Sequence, residues 1–367
     1  MHICNKFLVS FLKLYLGFFE PNICNSSTGL LVIGGLGNDS TSPTHMILWG
    51  PDGSPTCDLQ ALSPPRYGSI NYLDGKVVVC HGLSCATLDI QAGETDWQPF
   101  RLRHEVTGSN SAVINGDLVL LDGVDPNWRT LYNASAPGTL PPLYHWDRYD
   151  INKQEWKEEN FMAPAKTGFC TIQLGENAVV ITGGLVHPCL GSQCHSSLDP
   201  ELSASATKYT DLPVLGLGEH ASGTEHLPNL NHGRMFHACG TYSYEGRTML
   251  IVAGGMDKMS IEMSTAEVYS EGDASWGLAD NLFSPAAFLR GATIDNTFYL
   301  VGGWFAGGRR GEERSAEGRG VEGADDWIYE FEPERQKWVE ISRMPEARHG
   351  HGVVAVPLKY FDALCKL

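Results

Sequence analysis

The apolar residues of this chain fall in short β-branched runs, each stopped by one or two small turn residues. The runs are LLVIGG (30–35), VVVCHG (77–82), LVLLDG (118–123), AVVITGG (178–184), MLIVAGG (249–255) and FYLVGG (298–303). Apolar runs this short, punctuated by glycine, predict buried strands rather than helices. A second element follows each run at a variable distance: an aromatic residue seven positions before a tryptophan. The pairs are Tyr149 and Trp156, Tyr269 and Trp276, and Phe331 and Trp338, and Trp97 ends a less regular version. The polar stretches inside them, DINKQE and EPERQK, predict hairpin turns. A third element is a basic residue opening a further strand, in PPRYGSINYL (64–73), PAKTGFCTIQL (164–174), HGRMFHACGTY (232–242) and EARHGHGVVAV (346–356).

Together these define a repeat of four strands: a, opened by the basic residue; b, ended by the glycines; c, with the aromatic; and d, with the tryptophan. The second turn residues are Gly35, Gly82, Gly123, Gly184, Gly255 and Gly303, separated by 47, 41, 61, 71 and 48 residues. The shorter gaps match the ~40–50 residues of a four-stranded propeller blade, and the longer ones accommodate loop insertions. The three landmarks, recurring in order over residues 30–356, resemble the kelch repeat. His81 and Asp122 depart from it at the first glycine, and the first block has Trp49 and Cys57 in place of the Tyr/Trp pair. The resemblance implies an all-β fold, a six-bladed kelch-type β-propeller over 29–357 with a short tail at 358–367. Because the chain enters at a b strand and leaves at an a strand, residues 349–356 are expected to pair with the b strand of blade one, leaving no open edge. The tryptophans are expected to pack blade against blade.

Candidate chemistry centres on the a strands, which surround the channel of a propeller. Arg66, Lys166, Arg234 and Arg348 open successive a strands, Arg290 lies early in another, and His237 and His351 follow two of the arginines by three residues. Two readings stand side by side. Each cation braces the loop carbonyls of its own blade, or the ring grips an acidic segment of a protein partner, as the resemblance to kelch adaptor proteins implies. The loop-rich face, with insertions at 124–142, 185–203, 210–233 and 304–326, suits such a partner. The first reading of function is therefore a non-enzymatic, monomeric protein-binding module without cofactor. The alternative is a kelch-type enzyme acting on a sugar or alcohol, as a copper-radical oxidase or a sugar isomerase. No catalytic triad or carboxylate pair is visible to assign catalytic residues. The cluster HPCLGSQCH (187–195) lacks the spacing of a zinc knuckle, so no metal site is assigned.

The net charge of −17 disfavours nucleic acid and anionic lipid as partners, and no apolar run is long enough to span a membrane. Residues 1–28 read either as a signal peptide or as another leader. Sequons at Asn25, Asn38 and Asn133 and an even count of ten cysteines suit an extracellular, disulfide-bonded glycoprotein, with the cytoplasm as the alternative. Cys170 and Cys239 lie in strand-like runs and are expected as buried free thiols, whereas Cys57, Cys85, Cys189 and Cys194 flank loops where a disulfide is reasonable.

Overall fold

The turn chemistry of the sequence writes itself into a series of antiparallel sheets. In the computed structural model the described residues are 28–38, 45–51, 57–60, 68–81, 84–101, 110–121, 145–157, 161–162, 166–186, 201–210, 223–306 and 323–360. Among them the regular elements are strands, apart from one 3-10 turn at Leu358–Tyr360. The a and b strands are joined by two-residue turns such as Asp74-Gly75, Asn115-Gly116, Glu245-Gly246 and Asp295-Asn296, whose residues all have positive φ. That is the backbone a tight hairpin needs to match the strand twist.

The first sheet orders Gly352–Pro357, Thr28–Ile33, His45–Trp49 and Cys57–Gln60. The second orders Ser69–Leu73, Lys76–His81, Ser84–Asp89 and Gln98–Arg101. In the third, Asn110–Ile114, Asp117–Leu121, His145–Asp150 and Glu155–Trp156 are joined by Phe161–Met162. The fourth runs Cys170–Leu174, Ala178–Thr182, Ala206–Tyr209 and Thr224–Leu227. The fifth runs Ala238–Tyr244, Arg247–Ala253, Ala266–Ser270 and Gly277–Ala279. The sixth runs Arg290–Ile294, Thr297–Val301, Trp327–Glu332 and Lys337–Arg343.

The C-terminal strand enters the first sheet as expected, in register from Thr28↔Pro357 to Ile33↔Gly352. Sequence-distant ends are thus tied by a full antiparallel pair. The first strands of successive sheets pack beside one another, from Ser69–Leu73 through Arg290–Ile294 to Gly352–Pro357, which also packs on Ser69–Leu73. The core follows that order. It lies in six apolar slabs, each drawn from two neighbouring sheets, such as Ile251, Ala253 and Tyr242 with Phe298, Leu300 and Phe331 between the fifth and sixth. This is the layering of a β-propeller.

The aromatic pairs behave as the repeat predicts. Tyr149 and Phe331 sit directly across from Trp156 and Trp338, and the Tyr269 and Trp276 rings stack at 5.3 Å. Each tryptophan also donates its indole N–H to the outer part of the preceding sheet. Trp156 bonds the Arg101 carbonyl at 3.2 Å, Trp276 that of Pro228 at 2.8 Å, and Trp338 that of Asp280 at 3.0 Å. Burying the ring while satisfying its one donor makes these residues inter-sheet struts.

One expectation is corrected. Cys170 and Cys239 are not free thiols but a disulfide between the first strands of the fourth and fifth sheets. The two positions face the same inter-sheet slab, which brings the sulfurs together across 69 residues of chain. Cys85, read as a loop-flanking cysteine, pairs with Cys80 directly opposite it on the adjacent strand. Cys189 and Cys194 lie outside the described residues.

Two short sheets had no sequence signal. Lys166–Thr167, Leu185–Val186 and Glu201–Leu202 form one, and Ala286–Ala287, Trp304–Phe305 and Gly323–Ala324 the other. In each, the residues just after the diglycine turn pair back onto the segment that precedes the a strand of the same sheet.

Candidate site at the mouth of the inner strands

The segments before the a strands follow one geometric rule at four sheets. Thr167 pairs with Leu185, Met235 with Met256, Ala287 with Trp304 and His349 with Leu36. In every case the partner is the residue after the second turn glycine. Lys166, Arg234, Ala286 and Arg348 are therefore equivalent positions. The next position but one has positive φ at all four: Gly168, Phe236, Phe288 and Gly350. These four residues are joined head to tail by backbone hydrogen bonds, Gly350 N–H to Phe288, Phe288 to Phe236 and Phe236 to Gly168, at 3.0, 2.9 and 2.7 Å. The result is an arc of chain around the mouth that crosses four sheets.

The turn glycines allow this arc to close on the sheets. Gly183 lies against the Arg234 carbonyl and the His237 ring, and Gly302 lies the same way against Arg348 and His351. A Cβ at either would come within 2.4 or 2.5 Å of the carbonyl oxygen, so no side chain fits.

The basic residues turn inward rather than into the mouth. Arg234 is fully buried and donates to the carbonyls of Gly254 and Thr265 at 2.8 and 2.9 Å, all within the fifth sheet. It also pairs with the fully buried Glu267 at 2.6 Å, and Glu267 in turn accepts the Asn231 and His232 backbone N–H groups. Lys166 bonds the Ser205 hydroxyl, the counterpart of Thr265, at 2.7 Å. Arg348 is fully buried, donates to the Gly34 carbonyl at 3.3 Å and pairs with Glu346 at 3.6 Å. Gly34 and Gly254 are equivalent first glycines, so both arginines brace their own sheet in the same way. Arg66 lies outside the described residues.

Arg290 is different. It stands four residues further on, at the first position of its strand, and is partly exposed. Its hydrogen bond is to the Leu289 carbonyl at 3.1 Å, and no carboxylate pairs with it among the described residues. Burial alone pulls its pKa down, to about 10. Desolvation above all, then Arg234 or Arg348 and after them Arg290, hold His237 and His351 well below the ordinary histidine range, so both rings are neutral. His237 Nε2 meets the Thr182 hydroxyl at 2.9 Å, while its buried Nδ1 has no partner. At His351 valine occupies the place of Thr182, so no hydroxyl meets the ring, and neither of its buried nitrogens has a hydrogen-bond partner among the described residues.

Arg290 thus acts electrostatically on both His237 and His351, which we group as one cluster, while Lys166, Arg234 and Arg348 are bonded within their own sheets. Sequence reasoning did not find Phe236 and Phe288, whose rings lie 4.7 Å apart beside the cluster, with Phe288 5.9 Å from the His349 ring. Aligning KTGF, RMFH, AAFL and RHGH would have exposed them, since two of the four carry glycine at the third position. Among the described residues no three His, Cys, Asp or Glu side chains gather to hold a metal ion.

No protein-family model and no curated protein sequence matches the chain. Its fold does match solved structures. One is the structure of YjhT, 13% identical, covering 88% of this chain and 99% of that one, with a TM-score of 0.57. Another is a fungal alcohol oxidase of the AA5 family in complex with copper, 13% identical, covering 88% of this chain and 66% of that one, with a TM-score of 0.52. At such identities the likeness speaks to architecture alone, and on the geometry above the chain is a β-propeller.

Proposed function

We propose that this chain is a closed, six-bladed kelch-type propeller that binds a small polar molecule, a sugar, an alcohol or a small organic acid, at the mouth of its central channel. The observation that carries the reading is the cluster of Arg290, His237 and His351. It joins a partly exposed cation, without a carboxylate among the described residues, to two buried neutral imidazoles, each with a ring nitrogen that lacks a partner. Buried polar groups are ordinarily satisfied, so such groups beside the inner strands point to a ligand. The six inter-sheet slabs and the pairing of Gly352–Pro357 with Thr28–Ile33 support six blades and closure. A small molecule is favoured over a protein partner because Lys166, Arg234 and Arg348 spend their hydrogen bonds inside their own sheets.

The alcohol oxidase among the structural neighbours contains copper. Among the described residues no three His, Cys, Asp or Glu side chains gather for such a metal, and Cys80, Cys85, Cys170 and Cys239 are all consumed in disulfides. The two disulfides also support folding in an oxidising, extracellular compartment. Among the described residues no helix is long and apolar enough to cross a membrane.

A calorimetric screen of neutral sugars, alcohols and small acids, with and without a strong chelator, tests the reading. Saturable binding unaffected by the chelator is expected. Binding or oxidase activity that appears only with stoichiometric copper would overturn it.

A further inference from the structure

The backbone at Phe236 and Phe288 is left-handed, with φ of 54° at both. Equivalent positions in the fourth and first sheets carry Gly168 and Gly350, with φ of 64° and 61°. Glycine adopts this conformation freely, whereas a bulky side chain is strained in it. Two sheets nonetheless place phenylalanine there, and both rings stay partly exposed. They lean on each other at 4.7 Å, and the edge of Phe236 lies over Gly168. Backbone strain held at the rim of a site, where glycine would relieve it, marks side chains wanted for contact.

A positive charge follows one of these rings in the chain. Arg290 is two residues beyond Phe288, and its bond to the Leu289 carbonyl keeps the guanidinium against the segment that carries the ring. Phe236 immediately precedes His237, whose neutral ring Arg290 influences. A planar guanidinium without an anion takes a carboxylate through two parallel hydrogen bonds, and an aromatic pair beside it takes a flat apolar face.

We infer that the mouth is a site for a small carboxylate carrying a flat ring, with Arg290 taking the carboxylate and Phe236 and Phe288 taking the ring face. This inference rests on the small-molecule reading above and narrows it. Two neutral histidines beside one cation favour a singly charged carboxylate over a doubly charged phosphate.

Four probes separate the elements: benzoate, with ring and charge; benzyl alcohol, with the ring alone; acetate, with the charge alone; and glucose, a neutral polyol. Calorimetry on the intact protein is expected to show benzoate at least about tenfold tighter than either half-probe. Arg290→Gln is expected to remove that advantage and Arg290→Lys to keep part of it. Replacing both Phe236 and Phe288 by Gly is expected to leave the melting temperature unchanged or higher while weakening benzoate about fivefold or more. A purely structural role for the rings predicts the reverse, a lower melting temperature with affinity intact, and that result would sink the inference. So would equal binding of benzoate and benzyl alcohol. Glucose binding without benzoate binding would overturn the inference and leave the proposed function standing, and failure of all four probes would overturn both.

Discussion

The junction between the fourth and fifth sheets and the junction between the sixth and first are built on the same backbone and filled differently. At both, an arginine carbonyl receives the N–H of the second turn glycine of the preceding sheet, Gly184 to Arg234 at 2.8 Å and Gly303 to Arg348 at 3.0 Å. At both, a histidine three residues later packs on the first turn glycine of that sheet. The side chains then diverge. Cys170 in the fourth sheet occupies the strand position of Arg290 in the sixth, each opposite the last residue of its b strand. Cys239 matches Val353, Thr182 matches Val301 and Glu267 matches Ile47.

At the first junction three structural partners are in place: the disulfide, the hydroxyl under His237 and the carboxylate under Arg234, with His237 Nδ1 left over. At the second these partners are absent, and the cation without a carboxylate appears. Structural bonds engage more of the polar groups at one seam, while the other keeps both nitrogens of His351 unspent beside the channel. A repeat scaffold can thus hold chemistry at one seam because its neighbours supply the rigidity.

The largest test of this contrast is the carboxylate pair. Removing Glu267 strands Arg234 as a fully buried cation, since both partners are excluded from solvent. Glu267→Ala is expected to cost about 3–5 kcal/mol. The formal counterpart, Glu346→Ala, removes a half-exposed carboxylate 3.6 Å from Arg348 and is expected to cost at most about 1 kcal/mol. Denaturant titration of the two variants checks the comparison, and equal losses would break it.

The disulfide comes next. Opening Cys170–Cys239 releases a loop of 69 residues, which loop-closure entropy values at roughly 4 kcal/mol, against roughly 2 kcal/mol for the short Cys80–Cys85 loop. Replacing each pair by Ala in turn and comparing midpoints checks the order. A larger effect from Cys80–Cys85 would mean that the fourth and fifth sheets do not depend on their covalent link.

Acid should then act on both seams. His237 and His351 have folded pKa values depressed by burial and by the neighbouring arginines. Their neutral forms belong to the folded state, so the unfolded chain binds more protons below the ordinary histidine pKa of 6.5. The stability they contribute is complete above that pH and is lost as the pH falls below it. A melting-temperature profile between pH 8 and 5 should decline toward acid, and a His237→Gln, His351→Gln double variant should decline less. Parallel profiles would show that the rings take no part.

These pairs also explain what was legible in the sequence. Strand order, the closing strand and the tryptophan struts were readable because each depends on local chemistry: glycine turns, alternating apolar residues and an indole that needs one acceptor. The disulfide was hidden because Cys170 and Cys239 look like ordinary strand residues until two sheets are set side by side. The ring of cations was readable as a repeat, but its role was not. That role depends on whether position 267 or 47, far along the chain, holds a carboxylate or an isoleucine. Arg290 entered the site from a position outside the repeat's own basic slot, which in its sheet is Ala286. Its significance came from having no carboxylate partner among the described residues.

The smallest test exchanges the hydroxyl between the two seams. Thr182 is fully buried and offers its hydroxyl to His237 at 2.9 Å. Thr182→Val leaves that ring nitrogen without its partner in a buried setting, which is expected to cost about 1–2 kcal/mol. Val301 sits at the equivalent place below His351, in the apolar slab between the sixth and first sheets. Val301→Thr supplies the missing hydroxyl but also places a polar group among Val32, Ile328 and Met344, so gain and cost should nearly cancel, within about 0.5 kcal/mol. Chemical denaturation of both single variants and the double gives the answer. An asymmetric pair of effects means that the first seam is tuned around its hydroxyl and the second is packed around its absence. Equal losses would mean that each residue serves only as local filling, and the chemical distinction between the seams would then rest on Arg290 and Glu267 alone.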